Sequence, residues 1–147
     1  NTTLALNIEI KLPGIEAIVA EIVRAYGLDE RVIVSSFFPQ VLQTMRIVAP
    51  HLRRGALMGT QTLAPNVRLR ETWPLPELRR LAAHAWHPSA QLPLLERLVP
   101  RVRRAGYAVH VWTVDDPAAM QRLAQLDVDG IITNKPALLR DVLRTAA

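Results

Sequence analysis

Hydrophobic and polar positions along this chain follow two periods that take turns. Short β-rich runs with alternating apolar residues are each followed by a stretch whose apolar residues recur every third or fourth position. Thr3 to Lys11 reads as a first strand, with Leu4, Leu6, Ile8 and Ile10 on one face and Asn7, Glu9 and Lys11 on the other. Pro13-Gly14 is a turn, and Ile15 to Tyr26 is a helix whose apolar stripe is Ile15, Ile18, Val19, Ile22 and Val23, stopped by Gly27. Arg31 to Phe37 is the second strand, and the helix after it runs from Pro39 to about Ala49, proline suiting a first helical turn. Gly55 to Gly59 is a short third strand. Residues 61–80 are the least regular, with Pro65, Pro74 and Pro76 and a short helix from Leu75 to Leu81. A fourth strand is predicted near Ala82 to His87, then a helix from Leu94 to Ala105 closed by Gly106. Tyr107 to Val114 is a strand, Pro117 to Leu126 a helix, Gly130 to Asn134 the last strand, and Pro136 to Arg144 the closing helix.

Six strand-then-helix units in one 147-residue stretch predict an α/β fold with a mostly parallel sheet and right-handed crossovers. Two architectures fit, a doubly wound open sheet and part of a TIM (β/α)8 barrel. Several strands end in polar or functional residues: Glu9 and Lys11, Ser35 and Ser36, Trp112 and Thr113, Thr133 and Asn134. Barrels build their sites on that face from many strands, whereas a doubly wound sheet concentrates its site at the switch point. No glycine-rich phosphate loop follows any strand. Barrel units are therefore favoured, about six of the eight that close a barrel.

Composition narrows the function classes. Half of the residues are apolar and 21% charged, as in a globular domain. The apolar runs fall far short of the roughly 20 residues of a membrane span, and the first residues show no signal-peptide pattern. With no cysteine, disulfides and thiolate metal sites are excluded and a reducing compartment is permitted. A cytoplasmic location is expected, and a periplasmic full-length form is compatible with the same composition. The net charge of +5 comes from arginine, since Lys11 and Lys135 are the only lysines. The Arg-Arg pairs (Arg53 and Arg54, Arg79 and Arg80, Arg103 and Arg104) are assigned to solvated faces of amphipathic helices. No stretch interleaves aromatic and basic residues as single-strand nucleic-acid binders do.

In a barrel, the face of the first strand bearing Asn7, Glu9 and Lys11 points inward and climbs toward the catalytic rim. A carboxylate there is a natural hard-cation ligand, and a lysine one step higher could meet a phosphate as a point charge. The competing reading is a Glu9–Lys11 ion pair that plugs the interior. In YAVHVWTVDD, Val109 and Val111 face helices, while His110 and Trp112 face inward. A tryptophan near the rim offers a flat apolar wall to a small ligand, or simply fills core. His110 reads as a lone core histidine. His84 and His87 lie three apart on a predicted strand, hence on opposite faces, and make a poor metal pair. Asp115-Asp116-Pro117 reads as a helix N-terminus and Asp129-Gly130 as the turn into the last strand.

Taken in order and spacing, NIEIK, VIVSSF, VHVWTVDD and DGIITNKP resemble the glycerophosphodiester phosphodiesterase family over nearly the whole chain. The resemblance implies a (β/α)8 barrel that hydrolyses glycerophosphodiesters to sn-glycerol 3-phosphate and an alcohol with a divalent cation, Ca2+ or Mg2+. It makes Glu9 the metal-binding glutamate of the third strand, Lys11 the lysine that meets the substrate phosphate, and Trp112 the wall of the glycerol pocket. The family usually has Asn where Asp115 stands and often Asp where Asn134 stands. It also has a His-Arg-Gly strand, a Glu-Asn pair and a His-Asp segment, none of which occurs here, and His51, His84, His87 and His110 sit in no matching motif.

Residues 1–147 are therefore expected to be a partial phosphodiesterase domain, strands three to eight of the barrel. No catalytic acid or base is assigned, and the isolated chain is expected to be inactive. Six parallel strands leave two free edges, so self-association is expected. The alternative is a non-catalytic barrel-like module that binds phosphate or glycerophosphate. An unrelated barrel enzyme acting on phosphorylated metabolites comes third.

Overall fold

The structure, a computed structural model, describes residues 4–59 and 71–146. Its strands are β1 (Leu6–Glu9), β2 (Val32–Ser36), β3 (Arg53–Met58), β4 (Ala85–Pro88), β5 (Ala108–Val111) and β6 (Gly130–Ile131). Its α-helices are α1 (Glu16–Ala25), α2 (Pro39–Val48), α3 (Pro74–Arg80), α4 (Leu95–Arg104), α5 (Pro117–Gln125) and α6 (Pro136–Ala146), with a 3-10 turn at Asp29–Arg31. The predicted elements all occur, with ends shifted by one to a few residues. The strands are shorter than predicted where flanking polar residues leave the ladder, as at Lys11 and at Thr133 and Asn134. Thr3 and residues 60–70, including Pro65, lie outside the described residues.

All strands pair parallel, in the spatial order β1-β2-β3-β4-β5-β6. A doubly wound sheet reverses its order at a switch point, and this one does not. Strands laid down in sequence, each returned by a helix, curl in one sense into part of a barrel. The contact between Phe37 beyond β2 and Trp112 beyond β5 shows the curl, with ring centroids 5.4 Å apart. Three strand spacings in a flat sheet would be roughly 14 Å.

The apolar core lies between the outward face of the sheet and the helices. One cluster joins Ile10, Val23, Val34, Val41 and Met45 around α1 and α2, and a larger one surrounds Trp86, Leu78, Val99, Val109 and Met120. Three sequence expectations need correction. Leu4 and Leu6 are exposed, so only Ile8 and Ile10 of the first strand pack under helices. Ile15, Ile18 and Ile22 are also exposed, because they lie on the side of α1 away from α2 and no described element covers them. Of the predicted stripe only Val23 is fully buried, and α1 also buries Glu16 and Ala20.

Arg53 and Arg54 are on β3 rather than on a helix, and Arg54 is 4% exposed. Its guanidinium donates to the carbonyls of Leu52 (2.8 Å), Pro50 (3.1 Å) and Ala82 (3.1 Å). It thus ties the turns entering β3 and β4 together, and burial holds its pKa below the usual arginine value, with Arg46 adding to the shift. At the same end of the sheet Asp129 accepts from the Val109 N–H at 2.8 Å and joins β6 to β5. Replacing Arg54 with Met should cost about 2 kcal/mol in urea unfolding, because the buried Leu52 carbonyl and the partly buried Pro50 and Ala82 carbonyls lose their donor. A loss below about 0.5 kcal/mol would show those carbonyls to be satisfied another way.

Candidate functional site

Alternation along β1 sends Ile8 and Ile10 into the helix-facing core, and Glu9 and Lys11 to the opposite, inward face at the strand's carboxyl end. Both side chains are exposed, and neither has a hydrogen-bond or ion-pair partner among the described residues. The ion-pair plug is therefore not formed. The register pairs Glu9 with Ser35, which places the β2 terminus beside this carboxylate.

Trp112 stands on the same rim one residue past β5. Its Nε1–H donates to the His87 carbonyl at 2.8 Å, and its ring meets Phe37 edge-on, with the planes at 90°. A half-buried tryptophan held at its polar atom and at its edge is a fixed wall, not loose core filling. Sequence reasoning did not single out Phe37. The signal was there, an aromatic at the carboxyl end of a strand whose alternation places it inward with Ile33 and Ser35.

One layer deeper, His110 is not a lone histidine. Its Nδ1 lies 2.9 Å from Nε2 of His87, and the rings tilt together with centroids 4.7 Å apart. Two neutral rings suffice, the N–H of one donating to the lone pair of the other. His87 is fully buried, and its Nδ1 has no partner among the described residues. Burial and the neighbouring His110 push its pKa down to about 3, while burial lowers that of His110 against the pull of Asp129. His84 precedes β4, and its Nδ1 accepts from the Arg54 N–H at 3.1 Å. His51 meets Asp29 at 2.7 Å before β3, at the far end of the sheet from the rim.

Asp115 and Asp116 divide their work. Asp116 caps α5 by accepting from the Ala119 N–H at 2.7 Å. Asp115 instead bridges the two loops after β5 and β6. It accepts from the Thr133 hydroxyl (2.8 Å), the Asn134 N–H (2.8 Å) and the Asn134 side-chain amide (2.9 Å), bonds that hold its carboxyl below the usual carboxylate range. The two departures from the family pattern thus face each other, with carboxylate and carboxamide exchanged across one contact. As for metals, no group of three or more His, Asp or Glu side chains among the described residues could hold an ion. No helix among them is long and apolar enough to cross a membrane.

Residues 7–138 match the model of the glycerophosphoryl diester phosphodiesterase family. A glycerophosphodiester phosphodiesterase of Caldanaerobacter subterraneus is 34% identical over 144 residues, covering 95% of this chain and 55% of its own length. The chain thus spans about half the length of that relative. Among solved structures, a glycerophosphodiester phosphodiesterase of Agrobacterium tumefaciens superposes with a TM-score of 0.74 at 24% identity, covering 95% of this chain and 56% of that one. An Oleispira antarctica phosphodiesterase in complex with its product sn-glycerol-3-phosphate gives 0.72 at 20% identity, covering 95% and 55%. These two likenesses establish the barrel fold.

Two outcomes follow from the geometry. Asn134→Asp alone sets a second carboxylate against Asp115 and should lower the melting temperature; adding Asp115→Asn should recover most of that loss. A double variant no more stable than Asn134→Asp would show that the positions do not act as a pair. Separately, His87 stays neutral in the fold while an unfolded histidine takes up a proton near pH 6.5. The stability this neutrality carries is complete above that pH and falls as pH drops toward about 3. Urea unfolding between pH 7.5 and 4.5 should show the decline, and His87→Asn should flatten it.

Proposed function

The chain belongs to the glycerophosphoryl diester phosphodiesterase family, and we propose that it supplies strands three to eight of a barrel that hydrolyses glycerophosphodiesters to sn-glycerol 3-phosphate and an alcohol. The observation that carries this reading is the pair Glu9 and Lys11, both without partners among the described residues, on the inward rim that also bears the Phe37–Trp112 wall. Lys11 offers a point charge to a phosphate oxygen. Trp112 and Phe37 offer an apolar surface to the carbons of a glycerol unit. Such a reaction belongs to glycerol and lipid metabolism.

The reading includes a divalent cation, and Glu9 is the residue placed to ligate it. One carboxylate does not make a Ca2+ or Mg2+ site, which takes six or more oxygen ligands. The described residues therefore do not fit a complete metal centre, and no step is derived through one. Phosphodiester cleavage also needs proton transfer on both sides of the phosphorus. His51 and His84 lie at the opposite end of the strands, and His87 and His110 are committed to each other. We assign the remaining ligands and the acid–base groups to further β/α units packed on the free edge of β1. The exposed Leu4, Leu6, Ile15, Ile18 and Ile22 support this, since they form the apolar face such units would cover. Without them, the same rim supports the second reading, a module that binds glycerophosphate without turning it over.

The test is Ca2+-dependent hydrolysis of glycerophosphocholine by the polypeptide that includes those units. Glu9→Gln should lower kcat/KM on the order of 100-fold, and Lys11→Ala by a similar factor with an unchanged melting temperature. Full activity in Glu9→Gln would sink the ligand assignment. Loss of folding in Lys11→Ala without a kinetic defect would return that lysine to a structural role. The 147-residue chain by itself is expected to bind sn-glycerol 3-phosphate without turnover.

A further inference from the structure

The rim end of β1 is held at Ile10, the residue between Glu9 and Lys11. Its N–H donates to the Ser35 carbonyl at 2.9 Å, and its carbonyl accepts from the Ser36 hydroxyl at 2.7 Å. Its side chain is 1% exposed in the core beneath α1 and α2. The first bond fixes the peptide plane joining Glu9 to Ile10, and the second fixes the plane joining Ile10 to Lys11. Between them they set the directions in which both rim side chains leave the strand.

The second bond differs in kind from the first. In a parallel ladder the backbone amides supply the rungs. Here a side chain supplies one, just past the last backbone pair of β1 with β2. The same hydroxyl accepts from the Phe38 N–H at 3.1 Å, so it also shapes the turn that presents Phe37 to Trp112. One buried oxygen thus joins the strand that carries Glu9 and Lys11 to the turn that carries the aromatic wall. Ser36 is 1% exposed, so water has no ready access to replace it.

We propose that Ser36 is a positioning residue, whose hydroxyl fixes Lys11 and Glu9 relative to the Phe37–Trp112 wall by bridging the Ile10 carbonyl and the Phe38 amide. The proposal rests on the reading of the rim given above. Its core is a coupling between two walls of one pocket. Substitution of Ser36 should therefore weaken ligand binding at side chains it does not touch.

The experiment uses the 147-residue chain with Ser36→Ala, Ser36→Thr and Ser36→Cys. Thr keeps the hydroxyl, whereas Cys keeps the approximate volume with a weak donor and remains informative if Ala folds poorly. By NMR hydrogen exchange well below the melting temperature, the Ile10 and Phe38 amides should exchange on the order of 10-fold faster in the Ala and Cys variants, and near the parent rate in Thr. Ser35→Ala is the exchange control, since the Ser35 hydroxyl has no partner among the described residues. In chemical-shift titrations with sn-glycerol 3-phosphate and with inorganic phosphate, affinity should fall on the order of 10-fold in Ala and Cys and recover in Thr. Unchanged exchange at Ile10 and Phe38 would overturn the anchor. Faster exchange with unchanged affinity would overturn the positioning role. If the parent chain binds neither probe, the rim reading fails, and the positioning role falls with it while the exchange result still judges the anchor.

Discussion

Six parallel strands in sequence order leave the sheet no choice but to curl, and the curl brings the inward side chains of neighbouring strands together. Something must give way where they meet. At Gly55 a methyl group would come within 2.6 Å of the His87 ring, and at Gly130 within 2.9 Å of the His110 ring. Each imidazole thus lies over a glycine on the adjoining strand, and the two imidazoles meet between them. Flat polar rings over bare backbone let four strands close up without a thick apolar layer. The packing works only while both rings stay uncharged, and their depressed pKa values are the electrostatic face of that steric arrangement.

Above this layer every strand delivers its carboxyl end to one rim, because all strands point the same way. Glu9 and Lys11 come from the end of β1, Phe37 from the end of β2, and Trp112 and Asp115 from the segment after β5, and bonds and ring contacts between strand ends hold this rim. The exchanged Asp115 and Asn134 show how local this fixing is. A carboxylate needs donors, and the side-chain amide and backbone N–H of Asn134 supply two of them.

Much of this was legible in the sequence. Two alternating periods located every described strand and α-helix to within a few residues, and the inward placement of Glu9, Lys11 and Trp112 followed from strand alternation. What stayed hidden depends on partners far along the chain. Nothing in AWHP and AVHV says that His87 and His110 touch, since that needs the register of β4 on β5. Arg54 looked like half of a surface Leu-Arg-Arg pair, because its acceptors are backbone carbonyls and carbonyls have no sequence signature. Ile15, Ile18 and Ile22 formed a correct stripe whose covering surface periodicity cannot name.

The fan of bonds from Arg54 lies at the amino ends of the strands, and the Glu9–Lys11 rim at their carboxyl ends, with the imidazole layer between. Damage at the two ends should therefore reach an observer by different routes. A lesion around Arg54 removes bonds that hold two strand entries together, so it registers as a loss of folded protein. A change at Lys11, exposed and without a partner among the described residues, leaves those bonds untouched. The molecule thus separates, along about 20 Å of strand, the bonds that hold its fold from the side chains it leaves open at the rim.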